Sequence, residues 1–405
     1  MSNFEKEYII FSSIPWDYLT QRPQVIAGNL AEKHKVFFVD MLKGIKKVIK
    51  EGDFFKKPVK TVAGKIEKIN DNLYRYSPPN YGFAFLPTRF DFSTKTAVMD
   101  QLHKNLYGFL IKNSLKKLGF NAKYRISLLE TPIYHYMRKG VGEDVTIFDC
   151  IDEISEIEKD KGNYFQVAER EIIKKADIVV ATSDYLKEKC LQVNDTVYKI
   201  TNGMSRVFLE EIKPVLIPER LRNMKGPIAG YVGSLAEWVD VDIIEHYINR
   251  LTDWQFVFTG SVDFVAPDKI EKFDKLMKKR NVYHLGFVDF QQLPAIVDSF
   301  DVCLIPFNVE SKFVHAINPV KIYEYLSRGK PVVSTHWKEM EIFEDYIEFA
   351  EGKEDFADKI RKSYEKNNEE LAEKRIDYAR QNTWYHRAEK LDQVVDEYLE
   401  KSEKG

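Results

Sequence analysis

The sequence predicts an α/β protein of two doubly wound, Rossmann-like parallel-sheet domains facing a cleft. Three observations carry this. Short apolar runs such as Tyr8-Ile9-Ile10-Phe11-Ser12 recur along the chain, as strands buried on both faces require. Helical stretches separate the runs, and strand, helix, strand in that order is a right-handed crossover unit. The alternation lapses over residues 206–226, where Pro214 and Pro218 stand in a polar stretch, and restarts at Ile228. The domains are therefore expected at 1–205 and 227–380, joined by a linker at 206–226. A final helical stretch, 381–405, follows.

Bulk properties fit this division. A chain of 405 residues suffices for two domains, each with its own core. At 44% hydrophobic and 31% charged residues it is globular in composition. The net charge of −2 covers an asymmetry: residues 1–205 hold 32 Lys and Arg against 26 Asp and Glu, and the remainder 29 against 37. A basic and an acidic half suit domains with different partners; nucleic acid is not expected among them. Cys150, Cys190 and Cys303 sit in or beside apolar segments without metal-ligand spacing and read as buried thiols of a reducing compartment. Residues 1–7 are polar, so no signal peptide is expected, and no segment approaches the roughly 20 apolar residues of a membrane span. The expected location is cytoplasmic.

In chain order, the first strand (8–12) runs into a loop containing Trp16, Asp17, Arg22, Pro23 and Gln24, then a helix to about Ala31 and a second strand, 35–40. Ligands of such sheets sit at the carboxyl ends of strands, so the loop should line the cleft. No Gly-x-Gly-x-x-Gly follows the first strand, which argues against a dinucleotide dehydrogenase. Over residues 43–60, Lys43, Lys46, Lys47, Lys50, Lys56, Lys57 and Lys60 interleave with apolar side chains. Residues 81–90 bring Tyr81, Phe83, Phe85 and Phe90 together. Such segments either rest on an anionic bilayer or form a solvated helix face and a hydrophobic lid. Residues 96–118 read as a long helix on the spacing of Leu102, Leu106, Phe109, Leu110 and Leu115.

Strands follow at 125–129 and 146–153, the latter ending in acids. A hydroxyl group is a very weak acid, and activating one as a nucleophile needs a carboxylate or imidazole to take its proton. Asp149 and Asp152 are the candidates, with Asp17 and His135 as competitors; Asp152 is equally readable as the start of the next helix. Strands at 178–183 and 197–204 close the first half.

In the second half the run Ile228 to Ser234 ends in a glycine turn, Gly233-Ser234, where backbone can approach a ligand closely. Strands at 254–261 and 282–288 also end in glycine-bearing loops, at Gly260 and Gly286. Asp240-Val241-Asp242 precedes a helical pattern and reads as a cap rather than a metal site. The most informative stretch is Asn318 to Thr335. Asn318 is expected to cap a helix of about three turns. Pro319 suits its first position, and Gly329 and Pro331 end it. A helix N-terminus attracts phosphate. Lys321 and Glu324, three apart, project from one side, where a cation beside phosphates and a carboxylate on a ribose diol would grip a nucleotide diphosphate.

Asn-Pro-x-Lys-x-x-Glu-Tyr-Leu-x-x-Gly-Lys-Pro-Val-Val at 318–333 resembles the donor-nucleotide motif of GT-B glycosyltransferases, the group-1-like enzymes of bacterial cell-surface polysaccharide synthesis. The loop from Trp16 to Gln24 is similar to their first loop, and Asn202-Gly203-Met204 to their domain-junction turn. The resemblance implies a hexosyltransferase-type enzyme that moves a sugar from a nucleotide sugar, UDP-linked, to a saccharide or lipid-linked acceptor. It implies no cofactor and no required metal. It also implies ribose binding by Glu324, and a donor site of Lys321, Asn318, Pro319, Val320, Gly233, Ser234, Gly260, Phe287 and Val288. Trp16, Arg22 and His135 would line the acceptor side, with Asp152, Asp149 or Asp17 as base. Lipid-linked acceptors, and with them contact with the inner face of the membrane, also belong to what it implies. Two departures matter. Ala316 stands where many relatives carry a second glutamate, leaving retention or inversion open. The loop after Gly233 lacks the usual cation, which Lys321, Arg22, Arg206 or His315 would supply. A nucleotide-sugar 2-epimerase of the same fold, or a non-catalytic nucleotide-sugar-binding subunit, are the alternatives.

Overall fold

The computed structural model describes residues 4–18, 20–41, 64–78, 94–154, 164–210 and 219–404. The chain forms two compact units, residues 1–201 with 387–405, and residues 202–386. Both are α/β, and each has its own sheet. The segments 43–60 and 81–90, and residues 211–218 of the expected linker, lie outside the described residues.

The first unit is an eight-stranded sheet in the order β3-β4-β2-β1-β5-β6-β7-β8. Its strands are β1 (Lys6–Phe11), β2 (Lys35–Val39), β3 (Lys65–Lys68), β4 (Leu73–Ser77), β5 (Tyr124–Leu129), β6 (Val145–Cys150), β7 (Ile178–Ala181) and β8 (Val197–Lys199). All pairs are parallel except the hairpin β3–β4. The central strands are buried along their whole length, which is why they read as unbroken apolar runs. Every residue of β3, by contrast, is exposed. The sheet order reverses between β1 and β5, and the crevice at such a switch is where a ligand sits.

The long helix runs over Thr94–Lys117, but its face differs from the expected one. Tyr107, Ile111 and Leu115 are buried, whereas Leu102, Leu106 and Phe109 point to solvent. Two interleaved apolar stripes lie on this helix, and spacing alone merges them. The helix Trp384–Lys404 buries Ala388, Leu391, Val394 and Val395. Its residues from Arg387 onward belong to the first unit, held by charge: Asp392 accepts from the Tyr8 hydroxyl at 2.5 Å and pairs with the Lys6 ammonium at 2.6 Å. His34, 3.1 Å away, and then Lys6 and Tyr8 hold the Asp392 carboxyl far below the usual carboxylate range, although burial opposes them.

The second unit is a six-stranded, all-parallel sheet in the order β11-β10-β9-β12-β13-β14. It comprises β9 (Ile228–Val232), β10 (Gln255–Thr259), β11 (Val282–His284), β12 (Val302–Ile305), β13 (Val332–Thr335) and β14 (Glu348–Ala350). Its switch lies between β9 and β12. Residues 202–204 are tied into this unit: the Met204 amide donates to the Asn382 carbonyl at 2.8 Å, and the Trp384 amide to the Met204 carbonyl at 3.0 Å.

Candidate functional site

The helix that leads into β13 spans Val320–Ser327, eight residues rather than the expected three turns. The N-cap residue is Pro319, and Asn318 does not cap it. This corrects the expectation, and the reason is a better set of partners. The Asn318 side-chain oxygen accepts from the Asn202 amide at 3.0 Å, and its amide nitrogen donates to Glu339 at 3.1 Å. Its carbonyl accepts from the Asn202 side chain at 2.7 Å. With Asn318 3% exposed, this tie leaves the free amides of the first turn without a side-chain cap.

Both ends of the helix are fixed. Gly329 adopts φ +67°, the left-handed stop. Arg328 makes a two-pronged pair with Asp298 at 2.8 and 2.7 Å. In between, the Val232 amide donates to the Tyr325 hydroxyl at 2.8 Å, joining the helix to the carboxyl end of β9. Lys321 then reaches the same strand end. Its ammonium donates to the Tyr231 hydroxyl at 2.9 Å and lies 4.4 Å from the Tyr231 ring centre and 4.9 Å from that of Phe307. A Cβ on Gly233 would stand 2.9 Å from that ammonium, so the glycine keeps the space the cation occupies.

One turn on, Glu324 is 7% exposed; the Ser327 hydroxyl donates to its backbone carbonyl at 2.7 Å, and its carboxylate takes no hydrogen bond among the described residues. Burial raises its carboxyl from an ordinary 4.5 to about 7, and the positive charge of Lys321 pulls it down only in part. A nearly buried carboxylate with empty acceptor sites beside a fixed ammonium is suited to a vicinal diol next to an anion.

Three glycines complete this edge. Gly233, Gly260 and Gly286 follow β9, β10 and β11 with φ of +130°, +127° and +69°. The Gly233 amide donates to the Thr259 carbonyl at 2.9 Å, and the Gly260 amide to the Gly286 carbonyl at 2.8 Å. His284, which sequence reading passed over, adds its Nε2 at 2.9 Å from the Gly260 carbonyl. The Ser234 hydroxyl bonds that of Ser261 at 2.9 Å, and Ser261 bonds Asp263. Phe287 is 67% exposed at the tip of its loop; Val288 and Val320 are half-buried. Asp240 caps the helix Val241–Arg250, accepting from the Asp242 and Ile243 amides at 2.9 and 3.0 Å. Among the described residues no three His, Cys, Asp or Glu side chains gather as a metal site. His315 bonds the Val309 carbonyl at 3.0 Å, and Arg206 lies 5.5 Å from the Tyr385 ring centre.

The carboxyl edge of the first unit is built from charge. Arg22, 7% exposed, grips Asp149, 2% exposed, at 2.7 and 3.1 Å, and also donates to the Thr201 carbonyl at 3.2 Å. These two expected site residues are therefore each other's partners, and Asp149 is not an open base. Asp17 is bound by both prongs of Arg75 at 2.8 and 2.6 Å. Trp16 packs edge-on against Phe38 at 4.9 Å, its amide on Asp40 at 2.8 Å. His135 bridges Asp100 at 3.2 Å and the Pro132 carbonyl at 3.1 Å. Asp152 differs: it is half-buried, and no side-chain partner reaches it among the described residues. Burial lifts it from 3.8 to about 6 against the pull of Arg22, with Asp149 adding to the rise.

Comparison with known proteins bears on the family and the fold. Residues 241–393 match the family described as Glycosyl transferase-like. Solved structures align over nearly the whole chain, and they are glycosyltransferases of the GT-B fold. HepE of Anabaena, in complex with UDP and glucose, is 13% identical over 96% of this chain and 99% of its own, with a TM-score of 0.64. Sucrose-phosphate synthase of Thermosynechococcus elongatus is 12% identical over 97% and 99%, at 0.63. The catalytic domain of starch synthase IV of Arabidopsis thaliana, bound to ADP and acarbose, is 11% identical over 98% and 100%, at 0.66. Likeness at that identity establishes the fold, GT-B. Among curated proteins, the chain is 26% identical over 208 residues to the Bacillus subtilis (strain 168) protein named as teichuronic acid biosynthesis glycosyltransferase TuaH. That match spans 48% of this chain and 51% of the relative, about half of its length.

Proposed function

We propose that this chain is a glycosyltransferase of cell-surface polysaccharide synthesis, transferring a sugar from a UDP-sugar to a saccharide or lipid-linked acceptor. The observation that carries the reading is the Lys321–Glu324 pair on a helix whose first-turn amides have no side-chain cap, beside three glycine-ended strands. In this mechanism the diphosphate meets the helix amides and Lys321, and the ribose hydroxyls donate to Glu324. As the acceptor oxygen bonds the anomeric carbon, the bond from that carbon to the diphosphate breaks. Its electron pair leaves with the diphosphate, whose charge Lys321 stabilises. The acceptor proton goes to a carboxylate of the first unit, which we assign to Asp152, raised toward neutrality and unpartnered.

Calorimetry with UDP tests the donor site. Glu324→Ala should weaken binding at least tenfold, about 1.4 kcal/mol or more; unchanged affinity would remove Glu324 from the site. The reaction is assigned no metal: transfer should survive exhaustive chelation, and its loss, restored by a divalent cation, would reverse that assignment. Peripheral membrane contact is assigned to residues 43–60 and 81–90. Cosedimentation with anionic vesicles should fall when those lysines are neutralised; equal sedimentation would end the assignment. Among the described residues no helix is long and apolar enough to cross a membrane.

A further inference from the structure

Glu130 was absent from the expected site residues, and its position is anomalous. It follows β5 directly, and its amide donates to the Phe11 carbonyl at the end of β1 at 3.2 Å. It therefore stands at the carboxyl edge where the order of the first sheet reverses, the place at which such sheets take ligands. It is 1% exposed, and neither carboxyl oxygen has a hydrogen-bond partner among the described residues. Leaving a buried polar group unpartnered is destabilising. Along this edge Ser12 bonds Ile14, Asp149 bonds Arg22, and Asp40 bonds Arg75 and Ser77, while the half-buried Asp152 shares Glu130's lack of a side-chain partner among the described residues.

The groups facing Glu130 come from three elements. Asp149 on β6 raises its carboxyl, after burial, which is the larger cause. Arg22 on the helix Arg22–Leu30 lowers it, as do the Ser13 amide and Ser12 hydroxyl after β1, which face the carboxyl outside full hydrogen-bond geometry. Burial prevails, and the group sits well above the ordinary carboxylate range. One arginine stands among three carboxyls. It neutralises Asp149 through two hydrogen bonds, leaving Glu130 and Asp152 without a counter-ion of their own.

We propose that Glu130 is a ligand-binding carboxyl, which hydrogen-bonds a sugar ring held at the β1/β5 switch of the first unit. As an acid it offers one proton and one acceptor oxygen, and a sugar hydroxyl takes both roles in return. A phosphate or carboxylate ligand is disfavoured, since Arg22 is already paired with Asp149 and no other cation among the described residues is directed at Glu130. The inference rests on the glycosyltransferase reading and extends it to the sugar-reading residue of the first unit.

The test uses the full chain, labelled with 13C in its glutamate carboxyls, with the Glu130 resonance assigned by its loss in Glu130→Gln. The resonance should lie at the protonated position at neutral pH. Saturating p-nitrophenyl β-D-glucoside, β-D-galactoside or N-acetyl-β-D-glucosaminide should shift it. Glu130→Ala should weaken the bound glycoside roughly tenfold, whereas Glu130→Gln, which keeps one donor and one acceptor, should stay within roughly threefold. UDP affinity should be unchanged in both. An ionised Glu130 at neutral pH, no shift with any of the three glycosides, or equal affinity in Glu130→Ala would each overturn the proposal. If Glu130→Ala does not fold, the resonance and the Gln variant decide. Loss of UDP binding in the wild type would sink the donor reading instead, and the Glu130 resonance separates the two failures.

Discussion

The two sheets share a topology and differ in what fills their carboxyl edges. In the second unit the edge is mostly backbone: glycines at positive φ after three adjacent strands and an uncapped helix turn, with Lys321 and Glu324 beside them. In the first unit the edge is mostly side chain, with two arginines each holding carboxylates and two further acids left over. Backbone amides and one ammonium make a surface suited to phosphate, with Glu324 beside them as a group that titrates at about 7. A crowd of carboxyls around Arg22 makes a surface whose charge varies with pH near neutrality. The same fold thus presents mostly backbone donors at one carboxyl edge and mostly charged side chains at the other.

Removing Arg22 should break this contrast most severely. Arg22→Ala leaves Asp149 buried and unpaired, and urea unfolding should lose about 3–5 kcal/mol. A loss under 1 kcal/mol, by that reasoning, means water already reaches Asp149. Gly260→Ala attacks the other edge through backbone alone. Its Cβ would lie 2.2 Å from the Gly233 carbonyl oxygen at φ +127°, and stability should fall by about 3 kcal/mol with UDP binding lost. Wild-type melting and UDP affinity for that variant would show the three-glycine edge to be adaptable.

A subtler test separates the edges by pH. The Glu324 carboxyl rises from 4.5 unfolded to about 7 folded, so the folded chain binds more protons between those values. Its stability contribution is therefore fully present below 4.5 and is lost as pH rises through about 7. UDP affinity should run the other way, strengthening over the same window as the carboxylate forms to accept the ribose hydroxyls. Glu324→Gln should flatten both profiles, and parallel rather than opposed profiles would contradict the assignment. The smallest effect belongs to Asp17, whose pair with Arg75 is exposed: Asp17→Asn should change stability by under about 1 kcal/mol. A larger loss by calorimetry would mark that pair as structural.

What could be read in advance follows from range. The buried strands declare themselves locally as apolar runs, and Gly329 and the Lys321–Glu324 spacing lie within one helix. β3 gave no local sign, because Lys65-Ile66-Glu67-Lys68 is an exposed edge held only by its hairpin partner. Asn318 has the composition of a cap, but its partner Asn202 lies 116 residues away. Arg22 and Asp149, both noticed as open site residues, are 127 apart and satisfy one another. Glu130 is an acid at the end of a strand in the sequence, and only burial without a partner distinguishes it. Spacing reveals what neighbours along the chain can do and is blind to pairings across the sheet.

The helix that begins at Trp384 lies in the second unit at its start and in the first from Arg387 onward. The polypeptide therefore passes between the units twice, and the second unit is an insertion within the first. During synthesis the inserted unit has its full sequence first. Lys6 and Tyr8, made at the outset, wait for Asp392 to emerge before their buried polar atoms find a partner. A fragment covering residues 1–201 would carry that debt permanently.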